Sequence, residues 1–496
     1  MKTKKKFIVA IDQGTTSSRA ILFDTKGKSL FKSQLEFKQF FPKSGWVEHR
    51  PEEIWNKTKK VLIDVINKSK KLKGSILTIG ITNQRETTIL WDRISGKPVY
   101  NAIVWQDRRT SDFCKKYKTL KKEQTIKKKT GLLIDPYFSG TKIRWIIENI
   151  PKAKKLLKRK QLIFGTVDTF LLWKLTKGKT HATDATNASR TMLYNISTNK
   201  WDNQILKSLK IPSHILPEIK NSSDFFGNTH KSITGKAYPI TGVVGDQQAA
   251  TIGQCCFNKG AVKSTYGTGA FVLMNTGSKK VYSKNRLLTT VCYRINNKST
   301  YALEGSIFIA GAGVQWLRDK MKLIKTSSET EKVAKSLKNN SGVYLVPAFV
   351  GLGAPHWDSK ARGILSGLTR DTGQKEIVRA TIESSAYQTY DLFKAMKNDG
   401  LSPKYIKIDG GMVKNNWFCQ FLSDIINLKI YRAQVDDTTA LGAAFMAGLY
   451  IGEYTSLADI NKKWKVNRIF KPKLKNLYRN KLINEWLNSV KKTLIH

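Results

Sequence analysis

The run Ile11-Asp12-Gln13-Gly14-Thr15-Thr16-Ser17-Ser18-Arg19 sets a carboxylate, a glycine, four consecutive hydroxyls and an arginine directly behind an apolar stretch. Backbone N–H groups in a tight turn form a concavity for anions, and hydroxyls add donors, so the chemistry on offer is phosphate binding. It is not that of a P-loop, which needs a glycine five positions before its Gly-Lys pair. Two Gly-Lys pairs are followed by the Ser or Thr that a P-loop also needs, Gly27-Lys28-Ser29 and Gly178-Lys179-Thr180, but the required glycine positions hold Leu22 and Trp173. A second glycine and hydroxyl turn lies at Tyr266-Gly267-Thr268-Gly269. Asp12, at a strand end, is of the type that orients a hydrated Mg²⁺, which takes one or two carboxylates and keeps its waters. Taken alone, each turn reads as an ordinary hairpin before it reads as a phosphate clamp.

Other clusters carry charge or amides at strand ends. Arg85 beside Glu86 in Asn83-Gln84-Arg85-Glu86 offers donors and acceptors that fit vicinal hydroxyls; the alternative is a surface ion pair of little energy. Asp246 follows a buried strand and two glycines and opens an alanine-rich helix, so it reads as a helix N-cap or as a general base for a substrate hydroxyl. Ile408-Asp409-Gly410-Gly411 joins a strand to a helix, where a nucleotide could approach the backbone. Trp91 and Trp105 read as core aromatics.

These residues need elements to hold them. Residues 6 to 24 read as a hairpin with arms rich in Ile, Val, Phe and Leu. Apolar spacing at Ile54, Trp55, Val61, Leu62, Val65 and Ile66 predicts a helix, followed by a buried strand at residues 77 to 82. A second hairpin is expected around residues 261 to 277, a buried strand at 344 to 349, an amphipathic helix at 376 to 396, and a strand, glycine turn and helix from 405. Residues 111 to 130 and 152 to 160 read as exposed lysine-rich helix. Each half thus begins with a glycine and hydroxyl hairpin, which predicts two related α/β lobes meeting near residues 250 to 260, with a cleft between them.

At 496 residues the chain is long enough for more than one core. The net charge of +50 comes from 87 Lys and Arg against 37 Asp and Glu, and would attract anions from nucleotides to nucleic acid. The lysines are spread everywhere, which reads as compositional bias, and no zinc finger or RNP-type motif supports specific nucleic-acid binding. The apolar run Phe7 to Ile11 is short for a signal-peptide core, and no run has the length of a membrane span. Five cysteines without CxxC spacing suggest neither a disulfide framework nor zinc, so a cytoplasmic location is expected.

Taken in order, IDQGTTSSR, NQRE, WQDRR, GDQQAA, STYGTGAF, GAGVQWL and DGGMVKNN resemble segments of the FGGY carbohydrate kinases from about residue 7 to residue 450. Tyr137–Asn149 and Gly363–Glu383 resemble longer signatures of that family. The resemblance implies two actin/hexokinase-type (ribonuclease H-like) lobes, spanning residues 1–253 and 254–496, with the active site between them. It implies ATP-dependent phosphorylation of glycerol to sn-glycerol 3-phosphate with Mg²⁺ in a cytoplasmic homo-oligomer, a dimer or tetramer. By motif, Arg85, Glu86, Tyr137, Asp246 and Gln247 would bind glycerol hydroxyls, Trp105 and Phe271 its carbon backbone, and Asp246 would be the base. Thr15, Thr16, Ser17, Arg19 and Thr268 would meet the phosphates; Gly311, Gln315, Gly411 and Asn415 would hold the nucleotide; Asp12 would orient the metal.

Some members of that family respond to fructose 1,6-bisphosphate through a loop containing glycine and arginine, or to phosphorylation of a histidine. Residues 228 to 240 lack arginine and place His230 in a poorly matching context, so neither control is expected here. A family member acting on a pentulose or sugar acid, an actin- or chaperone-type ATPase, and a nucleic-acid-binding module are the competing readings.

Overall fold

The computed structural model describes residues 5–358 and 360–494; the ends of the expected lobe ranges, residues 1–4 and 495–496, lie outside them. Strand Lys5–Gln13 runs into a turn closed by a Gly14 N–H bond to the Ser17 carbonyl at 2.9 Å, and strand Ser17–Asp24 returns antiparallel. The arms alternate little because both faces are covered: Phe7 through Ile11 and Ala20 through Phe23 are all buried. Strand Ser29–Glu36 adds antiparallel on one side. Strands Gly74–Asn83 and Ile240–Gly245 add parallel on the other, completing a five-stranded sheet.

The second half repeats this plan. Val262–Tyr266 and Ala270–Gly277 form the hairpin, and Lys298–Ile307 adds antiparallel. Tyr405–Asp409 and Lys429–Ala433 add parallel. Leu288–Ile295 and Val466–Phe470 close the two edges of this seven-stranded sheet.

Helix Pro51–Lys71 covers one face of the first sheet with Ile54, Val61, Leu62, Val65 and Ile66, each burial worth about 2 kcal/mol over exposure. Its sequence sets the ends: Pro51 at the start, Glu52 and Glu53 in the first turn, Lys68, Lys70 and Lys71 in the last. Helices Asp246–Gly253 and Thr438–Tyr450 cross between the sheets inside a shared core with Ile8, Ile21, Val244 and Leu273. Their glycines permit the approach, since a Cβ on Gly442 would fall on the Ala249 carbonyl and one on Gly253 on the Thr438 carbonyl. The helix near the end of the chain therefore packs on the first sheet. A further core in the first half, around Leu90, Ile103, Phe138, Ile143 and Phe164, supports Trp105 and Tyr137.

Most expected elements are present, but the strand expected at 344 to 349 stops before Pro347, which has no N–H for a ladder, and the stretch 111 to 130 is broken into two helices. The long amphipathic helix is Gln374–Asn398, the strand at 344 is Tyr344–Val346, and the lysine-rich stretches are helices Ser111–Tyr117, Leu120–Thr130 and Pro151–Lys158.

Candidate active site

The strand Gly74–Asn83 ends against the cleft, and the chain then turns sharply at Glu86, a non-glycine residue at φ 60°. Such a conformation costs about 1–3 kcal/mol and persists where the surroundings impose it. The turn turns Arg85 and Glu86 into the interior, both 2% exposed, so this is no surface ion pair. Arg85 Nε stands 3.0 Å from Asp246 Oδ1 and 3.9 Å from Glu86 Oε1. Its two Nη atoms donate to the two oxygens of Glu304 at 2.7 and 3.0 Å, a bidentate pair. Arg190 joins from the end of a short buried helix, donating from Nε to Glu86 Oε1 at 2.6 Å and from Nη2 to Glu304 Oε1 at 3.0 Å.

Asp246 occupies the first helical position, and the capping residue is Gly245; the carboxylate is therefore not an N-cap. It accepts from the Gln247 backbone N–H at 2.7 Å and keeps 27% of its side chain open to the cleft. Burial pushes its pKa up to about 6, with Arg85 pulling down and Glu86 pushing up. That is the range of a base poised near neutrality. Glu304 behaves oppositely: burial alone would raise it, but Arg190 and Arg85 hold it at about 2. Lys263 Nζ donates to Gln247 Oε1 at 2.6 Å, and burial brings its pKa down to about 8.

An aromatic wall faces this cluster. The Trp105 ring lies edge-on to Tyr137 at 5.7 Å and to Phe271 at 6.1 Å. Its indole N–H donates to Thr15 Oγ1 at 3.0 Å, tying the first hairpin turn to the wall. Lys142, fully buried, donates to the Tyr137 carbonyl at 2.8 Å. Trp105, Tyr137, Phe271 and Thr268 line one cavity of about 410 Å³.

A second cavity of about 470 Å³ is lined by Thr268, Gly311, Gln315, Gly411 and Asn415. Thr268, at the tip of the second hairpin, thus borders both cavities. Its carbonyl accepts from the Ala310 and Ala312 N–H groups, fastening the hairpin to helix Gly311–Asp319. Gly410 sits at φ 100°, and a Cβ there would collide with the Tyr266 carbonyl, so only glycine lets this turn close on the hairpin. Asn415 caps helix Asn416–Ile426, its Oδ1 accepting from Phe418 N–H. Sequence reasoning did not find Arg318, Ser327, Ser328 and Lys414, which line the same cavity.

The first hairpin is less concentrated on the cleft. Thr16 is exposed, but Ser17 is buried and its hydroxyl accepts from Gln34 at 3.1 Å. Arg19 donates to Asp12 at 2.6 Å and approaches Asp437 at 3.6 Å. Asp12 is buried, which raises its pKa from the usual value against the pull of Arg19. Among the described residues no group of three or more His, Cys, Asp or Glu could hold a metal ion. His230 caps a short helix, its Nδ1 accepting from Ser232 N–H at 3.2 Å.

Residues 7–253 match the N-terminal domain of the FGGY family of carbohydrate kinases, and residues 262–450 match its C-terminal domain. The chain belongs to this family. It is 54% identical over 488 residues to a glycerol kinase of Ectopseudomonas mendocina (strain ymp), covering 98% of this chain and 99% of that protein. A glycerol kinase of Petrotoga mobilis is 53% identical over 489 residues, covering 98% of each. The crystal structure of Plasmodium falciparum glycerol kinase with ADP has the same fold at a TM-score of 0.93, with 41% identity and 99% of both chains covered.

Proposed function

We propose that this chain transfers the γ-phosphoryl group of ATP to glycerol, giving sn-glycerol 3-phosphate and ADP. The observation that carries the reading is the partly exposed Asp246 carboxylate paired with Arg85 at 3.0 Å, beside an aromatic wall whose cavity shares the hairpin tip Thr268 with the second cavity. The full-length similarity to glycerol kinases supports the substrate.

In this reading Arg85, Glu86, Tyr137 and Gln247 engage the hydroxyls, and Trp105 and Phe271 pack on the carbon chain. As the acceptor oxygen bonds to the γ-phosphorus and the bond to the bridging oxygen of ADP breaks, Asp246 takes the hydroxyl proton. A carboxylate suffices because that proton leaves late in a loose transition state. Thr15, Thr16, Ser17, Arg19 and Thr268 would surround the transferring phosphates, and Gly311, Gln315, Gly411 and Asn415 the rest of the nucleotide. Splitting these contacts between lobes lets closure exclude water.

Asp12 fits a hydrated Mg²⁺ carried by the nucleotide, which requires one or two carboxylates rather than a protein cage. When bound, such an ion neutralises charge on the phosphates; the buried Asp12 carboxylate, now balanced by Arg19, is the group that would hold it. We place the lobe division near residue 253 and the enzyme in the cytoplasm as a dimer or tetramer. All five cysteines are unpaired and buried, which suits a reducing compartment, and among the described residues no helix is long and apolar enough to cross a membrane. Sedimentation of the purified chain tests the assembly. Coupling the product to a dehydrogenase specific for sn-glycerol 3-phosphate tests the reaction, and absence of that product with ATP and glycerol would overturn it.

A further inference from the structure

Two buried, oppositely charged side chains of the second lobe reach across to the first lobe's acceptor site. Glu304 lies within strand Lys298–Ile307 and is fully buried; both of its oxygens accept from first-lobe arginines, Arg85 and Arg190. Lys263 lies within strand Val262–Tyr266 and is also fully buried; its Nζ donates to Gln247 Oε1 at 2.6 Å and to the Phe271 carbonyl at 3.3 Å. Burying such charges is costly unless they are paired, and apolar residues would fill the space at lower cost.

We propose that Glu304 and Lys263 are positioning residues for the phosphoryl acceptor, Glu304 by holding Arg85 and Lys263 by holding Gln247. The proposal rests on the reading of Arg85 and Gln247 as acceptor-binding groups. Glu304 occupies both Nη atoms of Arg85, which fixes the plane of the guanidinium and leaves Nε on Asp246 at 3.0 Å. An ammonium only donates, so Lys263 fixes which end of the Gln247 amide is its carbonyl and leaves the NH₂ for the acceptor. Both anchors of a first-lobe site are thereby tied to the lobe that carries Thr268 and the nucleotide cavity.

Besides burial, Arg85, Glu86 and the Gln247 N–H of the first lobe and Lys263 of the second set the titration of Asp246; Glu304 faces it through Arg85, whose guanidinium the two carboxylates share. Lys263 stabilises the ionised Asp246 directly, whereas Glu304 competes with it for Arg85, so the two second-lobe charges have opposite effects, which gives the test its signature. Glycerol-dependent ADP release is measured from about pH 5 to about pH 8 for the wild type, E304Q, E304D, K263M and the double variant E304Q/K263M. Circular dichroism monitors folding.

Turnover of glycerol by the wild type upholds the underlying reading; its absence would defeat that reading, whatever the variants do. E304Q is expected to lose about 10²-fold in kcat/KM for glycerol through misplacement of Arg85, with the KM for ATP near the wild-type value. Its acid limb moves to lower pH, because the carboxylate that shares Arg85 with Asp246 is gone and the guanidinium then favours ionised Asp246 more strongly. K263M moves the limb to higher pH, and the double variant lies between. E304D keeps the charge but shortens the reach, so its KM for glycerol rises while its acid limb stays in place. E304D and K263M decide the matter if E304Q fails to fold. A glycerol KM within about twofold of wild type in E304D, or an unshifted acid limb in K263M, would overturn the proposal.

Discussion

Replacing Asp246 by asparagine keeps the shape of the side chain at the first position of its helix and removes only its capacity to take a proton. The amide oxygen can occupy the place of Oδ1, 3.0 Å from Arg85 Nε, and Arg85 keeps its hydrogen bonds to Glu304, so glycerol and ATP should bind with little change. With a pKa near 6, the wild-type carboxylate is more than about nine-tenths ionised at pH 7.5, ready to act as base. Losing a positioned base costs about 10²–10⁴ in rate, or about 3–5 kcal/mol on the barrier. D246N should therefore bind glycerol in calorimetry yet lose that much in kcat by coupled ADP release. Below about pH 6 the wild-type kcat/KM should fall about tenfold per unit, while that of D246N stays flat. Stability supplies the folding control. The folded pKa of Asp246 is raised, so its stabilising contribution belongs to low pH and is lost as pH rises through about 6; near neutrality the neutral amide should melt no lower than wild type. A kcat within about threefold of wild type, or an acid limb unchanged in D246N, would refute Asp246 as the base.

Gly410→Ala should cost about 2 kcal/mol or more in urea unfolding and raise the KM for ATP, because φ 100° and ψ 176° form a region almost closed to other residues. An alanine tolerated there without either effect would contradict the tight closure of this turn on Tyr266. His49→Gln tests a buried neutral imidazole: burial lowers the His49 pKa from 6.5 to about 4. The unfolded chain protonates first as pH falls, so the wild type should lose about 3 kcal/mol relative to H49Q between pH 7 and pH 4. Parallel stability curves for the two proteins would show that His49 does not titrate in this way.

What the sequence revealed and what it hid have physical causes. The two hairpins were legible because β-branched arms and glycine and hydroxyl turns are local signals, and the pairing of Gln13 with Ser18 and of Tyr266 with Ala270 follows them closely. Arg85, Glu86 and Asp246 drew notice because charge at the end of an apolar strand is unusual. Whether Asp246 capped its helix could not be read locally, since the cap depends on a backbone angle at Gly245. Glu304 and Lys263 were missed for another reason. In Tyr301-Ala302-Leu303-Glu304-Gly305 a lone acid reads as the solvent side of a strand, and its partner Arg85 is 219 positions away. The one available signal was an acid within Ala302-Leu303-Glu304-Gly305-Ser306-Ile307, whose other residues are apolar or small. Arg190 was hidden in the same way, as an arginine after a short alanine-rich turn. Arg318 and Lys414 were lost among so many lysines and arginines that no single one stood out.

The most direct test of the account is steady-state ADP release with glycerol, xylulose, ribulose and gluconate offered separately to the purified chain with ATP and Mg²⁺. Saturable turnover of glycerol is expected, with kcat/KM of about 10⁴ M⁻¹s⁻¹ or more, and rates near the no-acceptor background for the other three. Turnover of a sugar or sugar acid without turnover of glycerol would contradict it.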